Sequence, residues 1–483
     1  MHIPLEPKSD IPLYRQIEQF LRESILSGAL AADTRLPATR KLADELGVSR
    51  ITVKNAYAEL ESDGLVAAHE GSGTLVLPLF KPMQPSILYT QHNWPLWQEV
   101  FGVPEDSTHA SRLPVQHTRD LISFTGVGDP REYPITEFRK AMQDILRREG
   151  TPALAYGDFS GGYFPLRQTI AHLLSSQGIR TQPEHVLVTS GSQQALSLIC
   201  QVLLKPGDAV IVEQPTYNFA LELFRALQLK IIPIPVDEFG MRVELLESLL
   251  QQMHPKLIYT IPNFQNPSGV CLSAVRRRTL LTLADRYNIP VCEDDFVGDL
   301  RYDGRTKPAL KALDPGGRVI YIGTFSKMLM PGLRVGYLVA EGPVLRALHT
   351  SKTVTDLTSS PLTQYVLHEF VNIGRYQAHL RHSIRLYRRR RDALVQALRR
   401  YFGHELGFVI PKGGLFLWLQ LPAGMSSTKL LARAVREGVE FAPGTRFFVQ
   451  PQDGDPYLRF NFAPLNEEEI AEGIRRLKIA YKQ

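Results

Sequence analysis

Between residues 36 and 65 the run LPATRKLADELGVSRITVKNAYAELESDGL alternates apolar and polar positions with a helical period, broken once at Gly47. The pattern predicts a helix that ends before Gly47, a tight turn, and a second helix with Ser49 as its N-cap. Val53, Tyr57 and Leu60 fall at i, i+4 and i+7, one apolar stripe for a core. Arg50, Thr52 and Lys54 then stand toward the start of the second helix, where charged and hydroxyl side chains can read a major groove. The run LVAAHEGSGTLVL follows, two short β segments joined by a glycine-rich tip, and predicts a wing beside the minor groove.

From 79 to 120 the period disappears and prolines accumulate, which predicts a linker partly pinned by Trp94 and Trp97. From 121 to 483 short β-branched runs (HVLVTSG, AVIVEQP, KLIYTIP, IPVCEDDF, VIYIGTFSK, RVGYLVA) alternate with longer amphipathic segments. That alternation predicts an α/β domain with a largely parallel sheet. Such sheets bind ligands beyond the carboxyl ends of their strands, so the residues found there carry the candidate chemistry.

Composition narrows the picture. A chain of 483 residues exceeds what one core fills, so two or more domains are expected. Cys200, Cys271 and Cys292 are scattered and odd in number, unlike a disulfide framework or a metal knuckle; a reducing cytoplasm and no metal are the expectation. No apolar run reaches the length of a membrane span, and none stands behind basic residues at the N-terminus. The formal charge of +6 is unevenly shared: residues 1–80 hold 8 Lys and Arg against 11 Asp and Glu, a balance of −3. Within them, residues 35–54 carry a local +3, so the basic groups concentrate on the predicted helix pair.

The strand ends are chemically coherent. After HVLVTSG a helix opens with Ser192 and Gln193, and its N–H groups suit a phosphate monoester. Tyr217 follows AVIVEQP and can stack on a flat ring; Asn266 follows KLIYTIP and offers an amide donor; Asp294 closes a buried strand. In GTFSKMLMPGLRVG, residues 323–336, Lys327 ends an apolar strand and Arg334 lies seven residues on. A ring, a phosphate, an electrophilic carbon and a ring nitrogen needing an anionic partner describe pyridoxal 5′-phosphate (PLP). Lys327 would form its Schiff base, Asp294 keep the ring nitrogen protonated, and Arg334 with Ser192 hold the phosphate.

Residues 11–77 resemble a GntR-type winged helix-turn-helix, which implies Arg40, Ser49, Arg50, Thr52 and Lys54, with Gly71 at the wing, as DNA contacts. Glu70, beside that glycine, departs from the pattern by facing phosphate with an anion. The remainder resembles a fold-type I aminotransferase. That resemblance implies Asn266 as donor to the cofactor's phenolic oxygen, Tyr217 as ring stack, and Thr324 as a further phosphate contact. It also implies Tyr156, in AYGDFSGGYFPLR, reaching the cofactor phosphate of a partner subunit, and Arg459, in YLRFNFA, binding an effector carboxylate. Two departures stand out. Phe296 occupies a stretch where the family commonly places a tyrosine donating to the phenolic oxygen, which implies at most weak transaminase activity; FSGGY carries an extra glycine. The cluster RLYRRRR at 385–391 reads as a helix with solvated arginines, or as an auxiliary DNA contact.

Joined, the two parts resemble the MocR/GabR subfamily of GntR-type bacterial regulators. The expected architecture is an α+β winged helix-turn-helix over 1–78, a linker over 79–120, and over 121–483 an α/β PLP-dependent transferase domain with a smaller C-terminal α+β lobe. The resemblance implies a homodimeric, PLP-dependent, DNA-binding transcriptional regulator that senses PLP itself or an amino compound through Lys327. The alternative is a catalytically active aminotransferase acting on an amino acid.

Overall fold

The computed structural model describes residues 3–69, 73–78, 120–126, 128–157, 159, 161–305 and 307–483. The chain divides into two compact units, Met1–Ser111 and Arg112–Gln483.

In the first unit three helices, α1 (Leu13–Leu26), α2 (Thr39–Leu46) and α3 (Arg50–Ser62), precede a hairpin of β1 (Val66–His69) and β2 (Gly73–Val76). Gly47 ends α2 in the left-handed region at φ 67°, which a residue without Cβ adopts at no steric cost. Two residues later the Ser49 hydroxyl accepts from the Thr52 amide and starts α3. Ile17, Leu21 and Ile25 of α1, Leu42 of α2, and Val53, Ala56, Tyr57 and Leu60 of α3 form one core. Each large aliphatic buried there is worth about 1.5–3 kcal/mol. The Tyr57 hydroxyl donates to the Pro37 carbonyl at 2.8 Å, fixing the segment that leads into α2. The hairpin is antiparallel, with Val66 opposite Val76 and His69 opposite Gly73. Glu70, Gly71, Trp94 and Trp97 lie outside the described residues.

The second unit is built on an eight-stranded sheet ordered Val186–Thr189, Gly336–Val339, Val319–Thr324, Val291–Asp295, Leu257–Thr260, Ala209–Gln214, Lys230–Asp237 and Gly240–Met241. Pairing is parallel from Val319–Thr324 across to Lys230–Asp237. Gly336–Val339 runs antiparallel to both its neighbours, and Gly240–Met241 returns along Lys230–Asp237 as a hairpin. Helices cover both faces of such a sheet, so its strands read as continuous apolar runs; all six residues of Val319–Thr324 are buried. A smaller lobe holds an antiparallel sheet ordered Gly407–Phe408, Phe416–Gln420, Tyr457–Asn461 and Ala442–Pro443, backed by the helices Ser427–Arg436 and Glu467–Lys482.

The arginine cluster follows the sequence expectation at Arg385, Arg388 and Arg389, which are exposed on a helix, and corrects it at Arg390 and Arg391. It lies in the helix Arg375–Phe402, whose buried face includes Leu386, Tyr387, Arg390, Arg391 and Leu394. Arg390 is 2% exposed and pairs with Asp129 at 2.7 Å, while also donating to the Ala463 carbonyl. Arg391 pairs with Asp303 at 2.5 Å and donates to the Pro411 carbonyl at 2.9 Å; Arg388 also reaches Asp303, and Arg389 reaches Glu467. Neither the solvated face nor the DNA contact describes Arg390 and Arg391, because the helical period turns them inward with Leu394. Replacing Arg390 by methionine leaves Asp129 buried beside Arg131 alone, and removing one partner of a buried pair costs about 3–5 kcal/mol. The expected result is a lower denaturant midpoint with an unchanged slope.

Candidate functional site

Five strand ends of the large sheet converge. Beyond Val319–Thr324 comes Lys327; Val291–Asp295 delivers Asp294; the segment after Leu257–Thr260 carries Asn266; Ala209–Gln214 leads to Tyr217; Val186–Thr189 leads to the helix Ser192–Leu203. Ser192, Tyr217, Asn266, Asp294, Phe296, Lys327 and, from the smaller lobe, Arg459 line one cavity of about 140 Å³. The segment bearing Asn266 is anchored from below by buried Glu213. Its carboxylate accepts from the Thr260 hydroxyl at 2.7 Å, the Ile261 amide at 3.1 Å and the Gln265 side chain at 3.3 Å.

Asp294 is buried. Its Oδ2 accepts from the Tyr259 hydroxyl at 2.8 Å, and its Oδ1 has no partner. Burial pushes its carboxyl up to about 6, against the downward pull of Tyr259. A protonated ring nitrogen is the kind of donor that the free oxygen lacks, and its positive charge restores the ionised carboxylate. Lys327 is pushed down to about 8, first by burial and then by Arg459 and Arg334. Its amine is therefore increasingly neutral and nucleophilic as pH rises toward 8. Loading of apoprotein with cofactor, followed as growth of the visible band, is expected to accelerate from mildly acidic pH and to level off above about 8.

Arg459 is sandwiched between the rings of Phe416, 4.2 Å away, and Phe447, 4.8 Å away. Nη1 donates to Asn266 Oδ1 at 2.8 Å, which leaves the Asn266 amide nitrogen as the free donor of that side chain. Its Nε is buried without a partner, and burial, then Arg446, push the guanidinium down to about 9. The guanidinium as a whole is half-buried and pairs with no carboxylate among the described residues; Asp294, which lines the same cavity, accepts from Tyr259 instead.

At the other end Gly191, with φ 103°, precedes the helix Ser192–Leu203. A Cβ there would stand 2.7 Å from Arg334 Nη2, so the absent side chain is what admits the guanidinium to the helix N-terminus. Arg334 Nη2 donates to the Ser190 carbonyl at 2.9 Å. Together they form an anion cradle.

The other predicted residues take different places. Gln193 stands in the first turn of that helix and donates to the Phe219 carbonyl, outside the cavity lining. The Thr324 hydroxyl donates to the Val335 carbonyl at 3.3 Å and accepts from the Ser326 amide at 3.1 Å, also outside the lining. Tyr156 is exposed and stacked with Phe159, away from the cavity of its own chain. Phe296 lines the cavity and stacks on Phe416; Val297 beside it is buried, and neither carries a donor. Sequence reasoning missed Tyr259, the orphaned and buried Ser326 hydroxyl, and the pair Asn461 and Gly126, whose side-chain amide and carbonyl join across the cavity rim. Asn461 stands two residues from Arg459 on one strand, so the period-two pattern carried a signal for it.

In the first unit Arg40, Arg50 and Lys54 are exposed. The hydroxyls of Ser49 and Thr52 lie 2.8 Å apart and are engaged in capping α3. Among the described residues no helix is long and apolar enough to cross a membrane, and no cluster of three or more His, Cys, Asp or Glu could hold a metal.

Comparison with known proteins divides the chain along the same lines. The family model for class I and II aminotransferases matches residues 121–477, and that for bacterial regulatory proteins of the gntR family matches 13–76. The probable rhizopine catabolism regulatory protein MocR of Rhizobium meliloti is 31% identical over 99% of this chain and 95% of its own length. The chain is a MocR-type regulator of the GntR family. Like other members, this MocR-type chain joins a DNA-binding winged helix-turn-helix to a fold-type I aminotransferase-like domain. Pyrococcus horikoshii kynurenine aminotransferase, solved in complex with PMP, superposes with a TM-score of 0.75 at 38% identity, covering 80% of this chain and 96% of that one. LysN, the α-aminoadipate aminotransferase of Thermus thermophilus, complexed with N-(5′-phosphopyridoxyl)-L-leucine, gives 0.72 at 36% identity over 80% and 98%. The cofactor of this MocR-type regulator is PLP, and the unpartnered Asp294 oxygen, Lys327 and the Gly191 cradle fit it.

Proposed function

We propose that this regulator senses an amine bearing a carboxylate at the Lys327 cavity and converts its binding into a change of DNA affinity. The observation that carries the reading is Arg459: half-buried, ringed by Phe416 and Phe447, and with a buried, unpartnered Nε in the cavity that holds Lys327. PLP, when bound, supplies an electrophilic carbon and an electron sink. The chain supplies the rest. Asp294 would hold the proton on the pyridine nitrogen, Tyr217 would cover the ring, Asn266 would donate to the phenolic oxygen, and Arg334 with Ser192 would hold the phosphate. Gln193 and Thr324 would add to the phosphate end, and Arg459 would orient the effector so that its amine faces the Lys327 side of the cavity. The cavity is lined from both lobes, by Lys327 of the larger and Arg459 of the smaller, and a ligand with unequal affinity for two arrangements of the lobes shifts the balance between them.

The working unit in this reading is a cytoplasmic homodimer, with Tyr156 completing the partner's phosphate site. Leu154, Tyr156 and Phe159 are 67%, 68% and 51% exposed in the single chain, an apolar surface that a second copy would cover. Two heads, each within residues 1–78 and tethered by 79–120 to the domain of 121–483, then read repeated half-sites through Arg40, Ser49, Arg50, Thr52, Lys54 and Gly71. A screen of amino acids and amines against the visible band of the holoprotein tests the effector class. Carboxylate-bearing amines should shift the band at lower concentration than their decarboxylated counterparts, and an equal response to both would overturn the assignment. Turnover of an amino acid with a keto acid acceptor would instead favour the aminotransferase reading.

A further inference from the structure

The outward face of α3 carries an apolar side chain that phosphate contact does not account for. Ile51 is 68% exposed, more so than Ile11 at 48% or Leu26 at 57%, the other large exposed apolar residues described in the first unit. Its direction is fixed by the helix. Val53, Ala56, Tyr57 and Leu60 turn into the core. At about 100° per residue, Ile51 falls on the opposite side, in line with exposed Lys54, Asn55 and Ala58.

Ile51 and Asn55 are the second and sixth residues of the second helix of a helix-turn-helix, counting from Arg50. The N-terminal part of that helix is what meets base edges in the major groove. Arg50 and Lys54 flank Ile51 and suit the anionic duplex. An isoleucine among them gains nothing from phosphate. The major groove does present one methyl group, at C5 of thymine, which apolar side chains contact. Asn55, one turn further and about 6 Å along the axis, offers the amide pair that matches N6 and N7 of adenine. At about 3.4 Å per base step, the two side chains address bases on the order of two steps apart. The hydroxyls of Ser49 and Thr52 close on each other in the helix cap, leaving Ile51 and Asn55, with the small Ala58 a turn further on, as the uncharged side chains of this face.

We propose that Ile51 and Asn55 are sequence-reading residues of this regulator: Ile51 packs on a thymine C5 methyl group, and Asn55 forms a paired hydrogen bond with an adenine about two steps away in the same half-site.

The test uses the full-length holoprotein. Binding sites are selected from a random duplex pool, and each thymine of the selected site is replaced in turn by deoxyuridine, which lacks only the methyl group. One thymine per half-site should then cost the wild type about fourfold in affinity, the worth of one buried methyl. Ile51→Ala should bind the thymine and uracil duplexes equally. Replacing adenines by 7-deaza-adenine, which removes the N7 acceptor, should weaken the wild type about tenfold at one position and leave Asn55→Ala indifferent there. Both side chains are exposed, and thermal melts should show the variants folded like the wild type. The proposal is overturned if Ile51→Ala keeps the wild-type uracil penalty at every thymine, or if Asn55→Ala keeps the wild-type penalty at every deaza-adenine. It is equally overturned if the selected half-site lacks thymine.

Discussion

Replacing Arg459 by leucine is expected to weaken the spectral response to carboxylate-bearing amines by about 30- to 5,000-fold, the range for truncating one partner of a desolvated, hydrogen-bonded charge pair. The size of the effect follows from where the charge sits. Arg459 has paid its desolvation in advance, held between two aromatic rings with one nitrogen on Asn266 and another unsatisfied. A carboxylate arriving there meets a preorganised donor in a low-dielectric pocket. Cofactor loading should change much less, because Lys327, Asp294 and the Gly191 cradle remain intact. A titration of the variant with an amine that lacks a carboxylate provides the internal control, since its response should be nearly unchanged. Equal sensitivity of the two ligand types would show that Arg459 supports the fold of the pocket rather than the ligand.

Exchanging Asp294 for asparagine is expected to lower the affinity of apoprotein for PLP by about 30- to 1,000-fold. The substitution keeps shape and removes charge. In the wild type one carboxylate oxygen is held by Tyr259 and the other waits unpaired. The asparagine oxygen or nitrogen can satisfy Tyr259 but cannot balance a protonated pyridine nitrogen. Absorbance titration of the apoprotein measures the loss. The sign of its pH dependence is also fixed. In apoprotein the Asp294 carboxyl sits at about 6, so below that pH it is neutral and a poor partner for the ring. Wild-type affinity should therefore fall as pH drops through about 6 by a contribution that Asp294→Asn lacks.

The parts of the molecule that a reader of the sequence can place are those whose physics is local. The α2–turn–α3 unit follows from Gly47, Ser49 and a helical apolar stripe, all within thirty residues. The cavity follows from the rule that parallel strands present chemistry at their carboxyl ends, because each of Lys327, Asp294, Asn266 and Tyr217 ends its own strand or the segment just beyond it. What escaped depends on residues distant in the chain. Arg390 finds Asp129 across 261 positions, so a run of arginines read alone looks solvated when its partner is invisible. Tyr259 lies within an apolar strand, where nothing in its own neighbourhood distinguishes a core tyrosine from one aimed at Asp294. Thr324 shows the converse: adjacent to Lys327 in a motif, its hydroxyl is turned to the backbone of Val335 and Ser326. The cap hydroxyls of Ser49 and Thr52 make a similar point for the DNA-binding head, since one residue type serves helix initiation and phosphate contact equally well on paper.

Occupancy of the Lys327 site is expected to control DNA binding. Gel-shift titration of the DNA upstream of the chain's own coding sequence addresses it, using apoprotein, PLP-loaded protein, loaded protein with a responsive carboxylate-bearing amine, and Lys327→Ala under the same conditions. The wild-type midpoint is expected to move when the site is filled or its ligand exchanged, while the midpoint of Lys327→Ala stays fixed. Binding of the wild type with one midpoint in every state, or a shift of equal size in Lys327→Ala, would contradict it.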